Sequence, residues 1–484
     1  MMSSMRREPQ GVALDSAAGR WVVGIAVLGS GMAFLDSTVV NVALPEIGRD
    51  LGAPTGALQW ILNGYLLTLA ALILLGGSLG DRYGRRRIFT WGAGLFTAAS
   101  VLCAAAPNVE LLVVARLLQG IAGALLTPGS LAMIDASFRP DDRSRAIGAW
   151  SGLGGVATAL GPLLGGWLVD AVSWRAIFLI NVPVGVFVVL VAGRHVPETS
   201  DPTAGGRLDV RGALLAALGL AGTTYGLIEG SLAAGAGGVV VLVTFLWVEA
   251  RSANPMMPLG IFSSRQFAAA NMVTFVVYAA LSGMFFLLVA FLQVSLRYSP
   301  LAAGAASLPV TMLMLALSAR SGALAHRIGP RIPLTAGPLI IAGAMLLMTT
   351  IDPGDGYLTG VLPAVALFGL GLTLVVAPVT STVLAAADPR HAGVASGVNN
   401  AVSRVAGLLA VAILPALAGI TGERFYDPVA MADGFRIAMV ACAILAAGGG
   451  LLAWATIRSR PPAPAETHFS CAVGGTPLRP PTAA

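Results

Sequence analysis

The chain has 484 residues, 56% of them hydrophobic and only 11% charged, with a mean hydropathy of +0.82. A soluble fold of this length cannot hide so much apolar surface, so the composition specifies an integral membrane protein. The 29 basic residues outnumber 23 acidic ones and are all Arg; they fall in short inter-helix loops, where they orient helices, and no nucleic-acid partner is expected.

The apolar residues come in blocks of about 18 to 25, enough for a helix to cross a hydrocarbon core of about 30 Å, whereas the alternating strand-length segments of an outer-membrane barrel are absent. In chain order, residues 1–20 are a polar N-terminus, and the run after them is too long for a cleavable signal peptide, so the first helix is expected to stay as an anchor. Spans are expected at 21–44, 57–79, 88–106, 111–134, 145–169 and 175–193, which make a six-helix half over 21–194. The segment 195–265 contributes two extra spans at 210–229 and 233–249. A second six-helix half over 266–457 follows, with spans at 268–293, 302–325, 332–350, 358–384, 392–419 and 434–456. Residues 458–484 are Pro-rich and aperiodic, and are expected to be a disordered tail.

The expected fold is therefore an all-α membrane protein of fourteen transmembrane helices. With the N-terminus inside, 21 Arg fall in cytoplasmic segments, five in outer loops (Arg49, Arg175, Arg297, Arg424, Arg436) and three within helices (Arg116, Arg320, Arg404). This excess places both termini in the cytoplasm and the protein in the cytoplasmic membrane.

The stretch LGDRYGRRR, Leu79 to Arg87, puts five charges in nine residues between two apolar runs. It has an echo 245 residues later: GSLGDRYGRR from Gly77 aligns with GALAHRIGPR from Gly322, with Arg82 over Arg327, Gly84 over Gly329 and Arg86 over Arg331. Two halves related by duplication, with a binding site between them, are a transporter architecture.

These segments resemble the major facilitator superfamily, and within it the fourteen-span drug:proton antiporter branch. GSLGDRYGRRR is similar to the family's helix 2 to 3 loop, RLLQGIAGA from Arg116 to its helix 4 motif, and GPLLGG from Gly161 to its helix 5 antiporter motif. LDSTVVNVALP from Leu35 and WRAIFLINVPVG from Trp174 resemble segments of the fourteen-span branch. The resemblance covers nearly the whole chain before Arg458. It departs at Ala157, which stands where the helix 5 motif has a preceding glycine, and at His326, which stands where the first loop has Asp81 and implies that the halves gate differently.

The resemblance implies a proton-coupled antiporter that exports small amphipathic drugs or antibiotics by alternating access, as a monomer, with no cofactor beyond the proton gradient. An uptake symporter or a specific metabolite exporter of the same fold is the alternative. A membrane-embedded sensor or enzyme is the alternative from another class. No Walker loop is present, and the scattered His195, His326, His391, His468, Cys103, Cys442 and Cys471 supply neither metal spacing nor a nucleophile–base pair.

Two ionisable residues stand inside the spans at one depth, since Asp36 and Arg116 each lie about 8 Å from the outer surface. Charges there should face a cavity or each other. Asp36 is read as a proton-linked or cation-binding carboxylate whose ionised form Arg116 favours; otherwise Asp36 bonds its neighbours through Ser37, Thr38 or Asn41. Asn41 and Gln119 join them as candidates for the coupling site or substrate cavity. Glu229, which ends the first extra helix, is ambiguous, while Glu110, Asp135, Asp170 and Glu249 read as solvated boundary residues. Asp81, Arg82, Gly84, Arg85, Arg86 and Arg327 are read as a cytoplasmic gate that latches the halves in the outward-facing state, or else as a topology signal. Gly161, Pro162, Gly165 and Gly166 are read as a bend in helix 5 with a small-residue face, serving as a hinge or as tight packing. Phe34, Trp60, Tyr65, Tyr278 and Phe285 are candidates for the cavity wall.

Overall fold

The computed structural model describes residues 11–201, 208–352, 354–387 and 392–459. Among them are fourteen helices long and apolar enough to cross a membrane: α1 (Ala17–Leu51), α2 (Thr55–Tyr83), α3 (Arg85–Ala105), α4 (Val109–Ser137), α5 (Asp141–Ala171), α6 (Ala176–His195), α7 (Val210–Ile228), α8 (Leu232–Arg251), α9 (Arg265–Val294), α10 (Pro300–Ala325), α11 (Arg331–Met348), α12 (Tyr357–Ala385), α13 (Gly393–Leu417) and α14 (Pro428–Thr456). The only β contact among the described residues is one isolated bridge between Val12 and Phe138. His391, His468 and Cys471 lie outside the described residues, as does the side chain of His326.

Several helices outrun the apolar blocks, because a helix stops at a cap and not at the first charge. Ser16 caps α1 by accepting the Gly19 N–H at 3.0 Å, and Gly52 ends it with φ +61°. Asp427 likewise starts α14 six residues before the expected span, accepting the Ala430 N–H at 2.7 Å.

Helix pairing repeats with an offset of eight. α2 packs on α4 as α10 packs on α12, α3 on α4 as α11 on α12, and α1 on α5 as α9 on α13. The halves meet where α5 lies against α10, α2 against α13 and α1 against α9. With an even number of antiparallel spans, both described chain ends emerge at one end of the bundle, here the terminal end; the opposite is the far end. Leucines such as Leu190, Leu218, Leu451 and Leu232 point outward and are 61–87% exposed, the surface a bilayer covers.

The extra helices α7 and α8 form a hairpin with a glycine seam, Gly222 and Gly226 of α7 lying against Gly238 and Gly235 of α8. Without side chains the two backbones approach closely, which is what drives helix association in lipid. α7 then covers the join between the halves, its Leu220 packing with Leu67 and Ala71 of α2 and Leu408 of α13. Glu249, expected to be solvated, is buried at 2% exposure: the loop after α8 folds back and Met257 donates its N–H to Glu249 at 2.8 Å.

Candidate coupling site and substrate cavity

Asp36 of α1 and Arg116 of α4 have no solvent exposure and form an ion pair, Arg116 Nη1 to Asp36 Oδ2 at 2.5 Å. Gln119, one turn after Arg116, completes the pair: its Nε2 donates to Asp36 Oδ1 at 3.0 Å and to Ser100 Oγ at 2.9 Å, while its Oε1 accepts Arg116 Nη1 at 2.6 Å. Arg116 Nε donates to the Ile61 carbonyl at 3.0 Å, and the guanidinium lies over the Tyr65 ring, 4.5 Å from its centre. Ser37 and Asn41 instead bond carbonyls of their own helix, while Thr38 bonds the Leu35 carbonyl of α1 and the Thr158 carbonyl of α5 at 3.2 Å. Asp36 thus bonds directly to Arg116 and Gln119 in a network that draws on α1, α2, α3 and α4, and Asn41 stands outside it.

At the terminal end, Asp81 and Arg85 bond at 2.8 Å across the α2–α3 turn, where Gly84 takes φ +106°. The pair sits within the first half, not between halves. A residue that sequence reasoning missed organises this turn: Glu198, beyond α6, accepts the N–H groups of Arg86 at 3.0 Å and Arg87 at 3.2 Å, placing a carboxylate at the α3 N-terminus. Arg86 in turn donates to the Val196 carbonyl at 3.0 Å. Arg82 lies over the Tyr83 ring at 5.4 Å. The second half repeats the arrangement, with Gly329 at φ +84° against the backbone of Ser459, and Arg331 donating to the Trp454 carbonyl at 2.7 Å; Arg327 is exposed.

The hydrogen bonds that join the halves cluster at the far end. Gln59 Nε2 donates to the carbonyls of Val411 at 2.7 Å and Ala412 at 3.0 Å, Gln293 Nε2 to that of Val42 at 2.8 Å, and the Tyr426 hydroxyl to that of Ala53 at 2.6 Å. Burial pushes the Tyr426 hydroxyl up to about 12, which keeps it a donor. Asp170, expected to be a solvated boundary residue, accepts the Leu301 N–H at 2.8 Å across the same join.

α5 runs unbroken through Pro162, and its small residues serve two partners. A Cβ on Gly161 would meet Thr38 of α1 and one on Gly165 would meet Val39, whereas Gly166 abuts the Pro300 backbone and the Pro162 carbonyl faces Gly304 of α10. The segment therefore packs α5 onto its own half and seals the far end against the other.

Beneath this seal a cavity of about 260 Å³ extends toward the terminal end, lined by Leu66 of α2 together with α9, α12 and α13. Tyr278, Asn399, Ser403 and Arg404 are on its wall. Of the other aromatic candidates, Tyr65 lies under Arg116, Phe34 packs near Trp150 and Phe285 stands edge-on to Phe368. Trp60 donates to Glu229 at 3.2 Å at the exposed end of α7.

Residues 26–411 match the Major Facilitator Superfamily. The chain belongs to that superfamily. It is 36% identical to the puromycin resistance protein pur8 of Streptomyces alboniger, across 98% of this chain and 100% of the relative. It is also 36% identical to the tetracenomycin C resistance and export protein of Streptomyces glaucescens, across 90% of this chain and 84% of that one. Among solved structures, a bacterial homolog of the human lysosomal transporter Spinster superposes with a TM-score of 0.64 at 19% identity, covering 92% of this chain and 98% of its own, which establishes the fold. As a superfamily member the protein is a multi-pass membrane transporter, and in this structure its halves are closed at the far end over a cavity. Glu198, Gln59 and Gln293 carry no sequence signal that separates them from ordinary loop or helix polar residues; their partners come from distant segments.

Proposed function

We propose that the protein is a proton-coupled antiporter that exports small amphipathic compounds, drugs and antibiotics among them, across the cytoplasmic membrane by alternating access. The observation that carries this reading is the dry Asp36–Arg116–Gln119 network inside the first half of a transporter whose halves are bonded together at the far end. A carboxylate held by a guanidinium in low dielectric stays ionised; a rearrangement that withdraws Arg116 leaves a lone buried charge, and Asp36 then takes a proton. That alternation is what exchange of a proton for cargo requires.

The terminal end carries the Arg-rich loops and so is read as cytoplasmic, which makes this an inward-facing state that loads cargo from inside. The names of the relatives, a resistance protein and an export protein, support efflux over uptake. In this reading the α2–α3 turn tied by Asp81, Arg85 and Glu198 acts as the cytoplasmic gate, and no cofactor, catalytic step or second subunit is needed. The test is accumulation of a panel of dyes, cations and antibiotics in inside-out vesicles with an imposed proton gradient. Uptake that collapses with the gradient supports it, while gradient-independent movement or import in intact cells overturns it.

A further inference from the structure

We infer that the cavity is built to receive an anionic group of its cargo, a carboxylate or an equally acidic oxygen, with Arg404 as the residue that binds it. The inference deepens the export reading and rests on it for treating the cavity as the cargo site.

Arg404 is the one charged side chain among the described residues lining the cavity. It has neither an ion-pair partner nor a hydrogen bond among them, whereas Arg116, the guanidinium buried in the first half, has carboxylate, amide and carbonyl partners. Asp36, the carboxylate buried in the spans of the first half, is already engaged with Arg116 and Gln119. An uncompensated guanidinium inside a membrane bundle is costly and stands where a counter-charge arrives. Among the described residues no carboxylate pairs with Arg404, and the ligand is the source of that charge.

The surroundings reinforce the choice. Asn399 is anchored by donating to Thr274 Oγ1 at 2.9 Å and Asn271 Oδ1 at 3.2 Å, both buried on α9. Asn400 donates one amide N–H and Ser403 its hydroxyl to carbonyls of their own helix, at 3.1 and 2.8 Å. The Arg404 N–H groups are the charged donors on this wall, and their planar fork suits a carboxylate. Leu66 and Val383 supply apolar surface to the same cavity, so an aromatic or alicyclic acid is accommodated in both its parts.

The test measures binding to the purified full-length protein of three probes that share one ring system: 1-naphthoate, 1-naphthamide and 1-naphthylmethylammonium. The wild type is expected to bind naphthoate about tenfold more tightly than the amide, the effect of one charge-assisted contact, and to bind the ammonium most weakly. Arg404→Gln should lose the preference for naphthoate while keeping its affinity for the amide, and Arg404→Lys should retain part of it; the unchanged amide affinity shows that the Gln variant is folded. Absence of a naphthoate preference in the wild type, including binding of none of the three, overturns the inference, as does a preference that survives in Arg404→Gln. Charge preference lost with Arg404 in a protein that shows no gradient-driven export leaves the site standing and overturns only the export reading.

Discussion

Arg116 and Asp36 neutralise each other at 2.5 Å without touching solvent, and Gln119 binds both. Removing either charge alone strands the other in low dielectric, which costs about 3–5 kcal/mol for a buried pair. Asp36→Asn and Arg116→Gln are each expected to lower the thermal stability of the purified protein markedly, and the double variant to lose less than the sum. Additive losses in a double-mutant cycle would show the pair to be energetically uncoupled.

The same Asp36→Asn variant, expressed and inserted, is expected to lose accumulation driven by a pH gradient in inside-out vesicles while still binding cargo in detergent. Full gradient-driven transport would place the coupling proton elsewhere, and Glu229 would be the next residue to replace.

Neutralising the α2–α3 turn should act on turnover more than on folding. Asp81 and Arg85 are partly exposed, and such a pair contributes about 0–1 kcal/mol. Asp81→Asn and Glu198→Gln are both expected to insert normally and to slow transport several-fold, as measured by initial export rates at matched membrane levels. Parental rates in both variants would leave the turn as a topology signal only.

Gly166 of α5 abuts the Pro300 backbone at the far end. Gly166→Ala places a methyl in that contact and is expected to push the halves apart there. Electron-resonance distances between spin labels on Arg49 and Arg424, exposed at the far end of the two halves, should lengthen. Gly161→Ala, whose methyl meets Thr38 within the same half, should not change that distance.

Gln59 provides two inter-half hydrogen bonds, and membrane hydrogen bonds average about 0.6 kcal/mol each. Gln59→Leu is therefore expected to shift the balance between far-closed and far-open states several-fold toward open, read with the same label pair. An unchanged distance distribution would mean that packing alone holds the seal.

Composition and run length alone determined the class and span count, because lipid leaves a helix of about 20 apolar residues almost no alternative. The duplication was legible too, since Gly84 and Gly329 answer one local demand, a positive φ at a tight turn between helices. Even the meeting of Asp36 with Arg116 was foreshadowed by depth, a one-dimensional quantity that rise per residue fixes. Tertiary structure decided the rest. Helix ends moved outward to their caps, Glu249 went from expected surface to interior once its loop folded back, and Glu198 became the tie on the α2–α3 turn. The GPLLGG segment became half of a far-end seal, and Arg404, which in sequence is one more intramembrane arginine, was left facing a cavity without a partner among the described residues. These outcomes depend on which segments meet across the bundle, and pairwise packing between residues hundreds of positions apart leaves no local trace in composition or periodicity.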